Sequence, residues 1–179
     1  MSSEIIFWLA VAVVFYTYLG YPVIVWILSA LFPRPVHTAP VTPAITVLIA
    51  AHNEARYIAD KIESCLHLTY PPERLNLIVV SDGSTDRTAA IVEAYVAHYP
   101  DRVTLIDLPT RCGKAHALNV AAARASGEIL LLADARQRFE PLVARALAQN
   151  FADAEVGAVS GELLLVAEHP TAEESHSVR

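Results

Sequence analysis

Apolar and polar positions divide the chain into two regimes. Across residues 5–32 nearly every side chain is apolar, relieved only by Tyr, Thr, Gly, Ser and Pro22, and none is charged. From Ala44 onward, short apolar runs alternate with stretches of helical period. Residues 44–51 (AITVLIAA), 75–80 (LNLIVV), 103–108 (VTLIDL) and 128–133 (EILLLA) predict strands. Their runs are mostly continuous rather than alternating, the pattern of strands covered on both faces. Residues 156–166 predict a fifth strand, longer and partly exposed.

Between the strands, four helices are expected. Residues 54–68 place Ile58, Ile62, Cys65 and Leu66 on one side, with Asn53 as the N-cap. Residues 88–99 follow Ser84 and Asp86, either of which can cap them. Residues 114–126 are rich in alanine, and Ala117, Leu118, Ala121 and Ala122 form a small-residue face suited to close packing on a sheet; Gly127 is the expected C-cap. Pro141 opens a helix running to about Phe151. Strand and helix alternate without internal repeats, which predicts an α/β domain with a mostly parallel sheet and helices on both faces, a Rossmann-like layer. No G-x-G-x-x-G follows the first strand, so the dinucleotide fingerprint is missing.

The expected organisation is a transmembrane helix over residues 1–32, a linker over 33–43, the α/β domain over 44–166 and a polar tail over 167–179. The apolar run exceeds the roughly 20 residues that cross a bilayer, and only Glu4 precedes it, so it lacks the basic leader and short apolar core of a secretory signal. Pro33, Pro35, Pro40 and Pro43 stiffen the linker. Arg34 beyond the run, against an acidic N-terminal flank, favours a single-pass membrane protein with its soluble domain in the cytoplasm.

Composition then removes several classes of function. A net charge of −6 opposes a polyanion-binding surface and implies no nucleic-acid polymer as partner. Cys65 and Cys112 are the only cysteines, and the seven histidines show no ligand spacing, so neither a disulfide framework nor a structural zinc site is supported. His52 and His116 receive no role.

Chemistry gathers where strands end. Asp82-Gly83-Ser84 closes the second strand, and Gly83 supplies the positive φ of the reversal. Asp-Gly-Ser also serves as ordinary turn and cap chemistry. The company decides: His52-Asn53-Glu54, Arg111-Cys112-Gly113-Lys114 and Asp134-Ala135-Arg136 stand at the neighbouring ends. In an open α/β sheet the crevice beyond the carboxyl ends of the strands binds ligands, and Asp82 and Asp86 are expected to project into it. Carboxylates there accept hydrogen bonds from a base and ribose, and Lys114, Arg111 and Arg136 offer charge to a pyrophosphate.

This pattern resembles family 2 glycosyltransferases, inverting GT-A enzymes that pass a sugar from a nucleotide donor to an acceptor. The resemblance rests on AAHNEARYIADKIESCL, IVVSDGSTDRTAAIV, RCGKAHALNVAAARASGEILLLADAR and VGAVSGELLL, in that order. It implies a nucleotide-sugar donor, membrane-linked polysaccharide synthesis, and donor binding by Asn53, Glu54, Asp82, Gly83, Lys114, Asp134 and Arg136. Asp134 opens the family's Asp-x-Asp element, whose last acidic position is here Arg136. Either Arg136 meets the pyrophosphate itself, or Asp134 alone holds a divalent cation, Mg or Mn, or the site is inactive. The family's catalytic base is expected downstream of the fifth strand, beyond this chain; Glu162 and Glu168 lie too early to replace it. The rival reading is a non-catalytic module that binds a nucleotide or packs against a partner. A nucleotidyltransferase would want a glycine-rich basic loop after the first strand, where AAHNEA stands.

Overall fold

The structure, a computed structural model, describes residues 2–162. The chain divides into two compact units, one ending at His37 and the other beginning at Thr38.

The first unit is helical: α1 (Ser2–Phe15), a π-helical turn (Tyr16–Gly20) and α2 (Tyr21–Leu31) run on without a break. The wide turn sits immediately before Pro22, which has no N–H to give, and Tyr21 donates to the Tyr16 carbonyl five residues back. Gly20 lies against Tyr16, whose ring a Cβ would meet at 3.0 Å. Polar side chains are absorbed locally: Thr17 donates to the Val13 carbonyl and Ser29 to that of Trp26. The stretch Ser3–Leu31 covers 29 residues of mean hydropathy 1.9 with none of it buried. At about 1.5 Å per residue it is longer than a hydrocarbon core of roughly 30 Å. By length and composition it is a candidate membrane span.

The second unit is built on four parallel strands, β1 (Ile45–Ala51), β2 (Leu75–Asp82), β3 (Val103–Leu108) and β4 (Ile129–Asp134), in the order β3-β2-β1-β4. Ile45 pairs with both Leu75 and Ile129, so all three strands start level and their carboxyl ends come out along one edge. The pleat sends alternate residues to opposite faces. Val47, Ile49, Leu77, Val79 and Val103 pack with α3 (Ile58–Leu66), α4 (Thr88–His98) and α6 (Val143–Ala148). Leu48, Ile78, Val80 and Ile106 pack on the other side with Ala117 and Ala121 of α5 (Lys114–Ala122). Helices on both faces of a parallel sheet are the layer that the continuous apolar runs predict.

Several local expectations are corrected. Residues 55–57 form a turn, so α3 starts at Ile58; Asn53 does not cap it but takes φ 54° and binds a different loop. Gly127 is not a helix cap, because α5 ends at Ala122. Its glycine identity answers to β1: the Gly127 N–H donates to Thr46 Oγ1 at 3.0 Å, and a Cβ there would stand 2.6 Å from the Thr46 nitrogen. The helix after Pro141 is shorter than expected and ends in a 3-10 turn (Gln149–Ala152). Residues 156–162 form no strand. Gly157 and Gly161 weaken strand formation there, and a strand needs a partner ladder that these residues do not make. The remainder of that expected strand and the polar tail lie outside the described residues.

Candidate functional site

The carboxyl edge of the sheet brings three loops together. The first, His52–Glu54, is pinned to the second, Ser84–Asp86, through Asn53. Its Oδ1 accepts the Thr85 N–H at 2.8 Å, while its own N–H donates to Ser84 Oγ at 3.2 Å. Asparagine tolerates the left-handed backbone this needs. Thr88 Oγ1 accepts the Glu54 N–H, and Asp86 accepts the N–H groups of Ala55 and Thr88. Burial pushes the Asp86 carboxyl up, but the hydrogen bonds from Thr88 and Ala55 outweigh it and hold the group below its ordinary value. Asp86 therefore takes the first N–H of α4, from Thr88, and ties that helix to the first loop.

Asp82 also turns back into the protein instead of projecting into the crevice. Its side chain is buried, at 3% exposure, and its two oxygens accept the N–H groups of Cys112 and Gly113 at 2.7 and 2.8 Å. A carboxylate held by two backbone donors is a rigid anchor for the third loop, Arg111–Lys114. Gly83 sits beneath that loop with φ 61°, and a Cβ on it would lie 2.4 Å from the Arg111 nitrogen. His52 braces the same junction by donating from Nδ1 to the Asp82 carbonyl at 2.7 Å, a role that the sequence pattern does not signal.

Two ion pairs stand on this frame. Lys114 Nζ lies 3.0 Å from Asp134 Oδ2, and Asp134 Oδ1 accepts the Arg136 N–H at 3.0 Å. That backbone bond and the Lys114 ammonium hold the Asp134 carboxyl below its ordinary value. Arg136 does not pair with its neighbour Asp134 through its side chain. Its guanidinium crosses to Glu54 on the first loop, Nη2 to Oε1 at 2.9 Å, and lies 5.5 Å over the ring of Tyr57. Tyr57 was not marked by sequence reasoning; an aromatic residue three places after a polar strand end is the signal that could have found it. Glu54, Lys114, Asp134 and Arg136 thus converge, with Asn53, Asp82 and Gly83 holding the loops beneath them, while Arg111 is exposed on the third loop.

The donor set does not make a divalent-metal site of its own. Among the described residues no group of three His, Cys, Asp or Glu side chains could hold a metal. Asp134 brings one carboxylate, with a lysine already on one oxygen and a backbone N–H on the other. Magnesium and manganese want several oxygen ligands, and an ammonium 3.0 Å away opposes them.

Comparison with known proteins decides the family. The model of glycosyl transferase family 2 matches residues 46–177, most of the chain and all four strands. The chain belongs to this family. Among the relatives of this chain, an N-acetylglucosaminyltransferase of Rhizobium meliloti is 36% identical over 136 residues, 75% of this chain and 31% of that protein. A poly-beta-1,6-N-acetyl-D-glucosamine synthase of Staphylococcus aureus is 33% identical over 118 residues, covering 65% of this chain and 28% of the synthase. The chain spans about 30% of the length of the curated relatives it matches. Among solved structures, a mannosyltransferase from Pyrobaculum calidifontis in complex with GDP-Man and Mn2+ superposes with a TM-score of 0.67 at 33% identity. The match covers 83% of this chain and 45% of that one. S. aureus TarS in complex with UDP-GlcNAc gives 0.54 at 28% identity over 58% of this chain and 30% of TarS.

Proposed function

We propose that residues 44–162 form the donor-binding part of a glycosyltransferase and hold a nucleoside-diphosphate sugar at the carboxyl edge of the sheet. The carrying observation is the convergence of Glu54, Lys114, Asp134 and Arg136 on loops that Asn53 and Asp82 lock together. The relatives solved with GDP-Man and UDP-GlcNAc support this ligand class.

In this reading Glu54 and the first two loops face the nucleoside, and the exposed cations Lys114, Arg111 and Arg136 face the pyrophosphate. Asp82 serves the donor indirectly, by fixing the loop that presents Lys114. Arg136 supplies a permanent charge and a planar fork suited to phosphate oxygens. Transfer also needs a base to take the acceptor hydroxyl's proton. Glu54, Asp82, Asp86 and Asp134 are each already engaged, so we assign that base to none of them. The Ser3–Leu31 helix would anchor the domain, with Arg34 placing it on the cytoplasmic side. Such an anchor predicts recovery in the membrane fraction after carbonate washing.

A second reading lets Asp134 leave Lys114 and share Mg or Mn with the pyrophosphate and water; the Mn2+ in the mannosyltransferase complex favours it. Calorimetry with UDP and GDP, with and without EDTA, separates the two. Binding that survives EDTA and becomes manganese-dependent in Arg136→Asp supports the arginine. Loss of all binding in EDTA rules the arginine out as sole counter-charge. Absence of binding with or without manganese overturns the donor site itself.

A further inference from the structure

Lys61 lies in the third helix one turn after Ile58, on the face that carries Ile58, Ile62 and Cys65 into the core, and it is 1% exposed. Lysine is almost never fully buried without a partner that requires it. Here there is no carboxylate within ion-pair reach among the described residues. Instead Nζ donates to the carbonyl of Gln137 at 2.8 Å and stands 3.3 Å from the centre of the Phe139 ring. Both partners belong to the loop that leaves β4 and carries Asp134 and Arg136. Burial pushes the ammonium below its ordinary value, opposed by the nearby Cys65 and Asp134.

A buried charge of this kind is a cost to stability unless its contacts serve something else. The loop it reaches is seated on the core by Ala135 and Phe139, but its polar backbone is short of other holds. Gln137 and Arg138 are exposed, and the loop's remaining local bonds are the turn from the Gln137 N–H to the Asp134 carbonyl and the one from the Arg136 N–H to the Asp134 side chain. At the rim, Arg136 rests on Glu54 and Tyr57, just ahead of the third helix. Beneath it, three residues into that helix, Lys61 fixes the backbone one residue past Arg136.

We propose that Lys61 is a positioning residue for the donor site: it fastens the 135–139 loop to the third helix from below, and so sets where Arg136 and Asp134 meet the donor. This rests on the donor-binding reading, but the fastening itself can be read without any nucleotide. The replacement Lys61→Met keeps the length of the stem and removes the ammonium, and the Gln137 residue whose carbonyl it releases is exposed.

The test uses the full chain in detergent. In Lys61→Met, hydrogen exchange at residues 135–139 should speed up roughly ten-fold while β1 and β2 keep their protection, with thermal unfolding shifted by no more than about 3 °C. Affinity for UDP or GDP should fall about five-fold, and Lys61→Met should add less than its full loss when Arg136→Ala is already present, because the two act through one loop. Phe139→Leu, which leaves the lysine in place but removes its aromatic seat, should loosen the same loop to a smaller degree; it carries the test if Lys61→Met does not fold. Unchanged exchange at 135–139 in a folded variant overturns the proposal, as does an affinity loss fully additive with Arg136→Ala. If the wild type binds neither nucleotide, the donor reading falls, and the exchange measurement still decides whether Lys61 holds the loop.

Discussion

Arg136 Nε lies 3.0 Å from each carboxylate oxygen of Glu54, a residue 82 positions earlier on the opposite loop. The pair joins the ends of β1 and β4. Because the guanidinium is largely exposed, the contact contributes little to stability, and its consequence is orientation. Glu54→Gln should therefore leave thermal unfolding within about 1 kcal/mol of wild type. Affinity for a nucleoside diphosphate should fall by about three- to ten-fold as Arg136 loses its fixed direction. Parallel melting and calorimetry on the one variant would check both; a large loss of stability with intact affinity would show the pair to be structural.

Asp82 predicts the reverse balance. Its buried carboxylate satisfies two backbone donors, so Asp82→Ala leaves the N–H groups of Cys112 and Gly113 without their acceptor. The expected cost is about 1.5–3 kcal/mol in stability, with weakened nucleotide binding following from a displaced Lys114. Chemical denaturation and calorimetry should show the two losses together.

Gly83 and Gly113 both have positive φ but differ in surroundings. A Cβ on Gly83 would strike the backbone of Thr110 and Arg111, whereas one on Gly113 would meet nothing within 4 Å. Gly113→Ala should cost about 1–3 kcal/mol for the backbone alone, because φ 92° and ψ 155° suit only glycine. Gly83→Ala carries the backbone cost and a clash as well, and should cost more than about 3 kcal/mol, since two chain segments must separate. Urea unfolding of the two variants would order them.

Acid should act on the same loops. Asp86 and Asp134 both have folded pKa values held below the ordinary one. A depressed carboxylate stabilises the fold above its unfolded pKa, about 3.9, and that contribution is lost as pH falls through the lower folded value. Denaturation midpoints should hold from pH 7 to about 5 and decline below about 4. Lys114→Met should raise the titration midpoint of Asp134, followed by its carboxyl carbon shift, and leave that of Asp86 in place.

The four strands of the sheet were legible because each is a largely apolar run that ends at polar residues; β1 and β2 are buried on both faces, whereas Leu130 and Leu132 of β4 are exposed. The gathering of Glu54, Lys114, Asp134 and Arg136 was legible for the same reason, as all stand just past strand ends. What each group binds was not. Asp82 reads as an open acceptor because its N–H partners lie thirty residues onward, and spacing carries no trace of them. Asn53 has the composition of a helix cap, yet a neighbouring loop claims its side chain. Gly127 follows a helical stretch but is small because β1 passes close by. Lys61 falls in the apolar stripe of its helix, and that position was the available signal.

The sheet order also sets when the site comes into being. β1, β2 and β3 are joined by short crossovers, whereas β4 pairs with β1 across a separation that runs from Ile45 to Ile129. Long-range parallel pairing pays its loop-closure entropy before any contact rewards it, so β4 is expected to dock late. Glu54 and Lys114 wait on the earlier-formed part, and Asp134 and Arg136 arrive only with that last strand. During refolding, the capacity to capture nucleotide should therefore trail the burial of the central core, and the slowest folding step would also switch the site on.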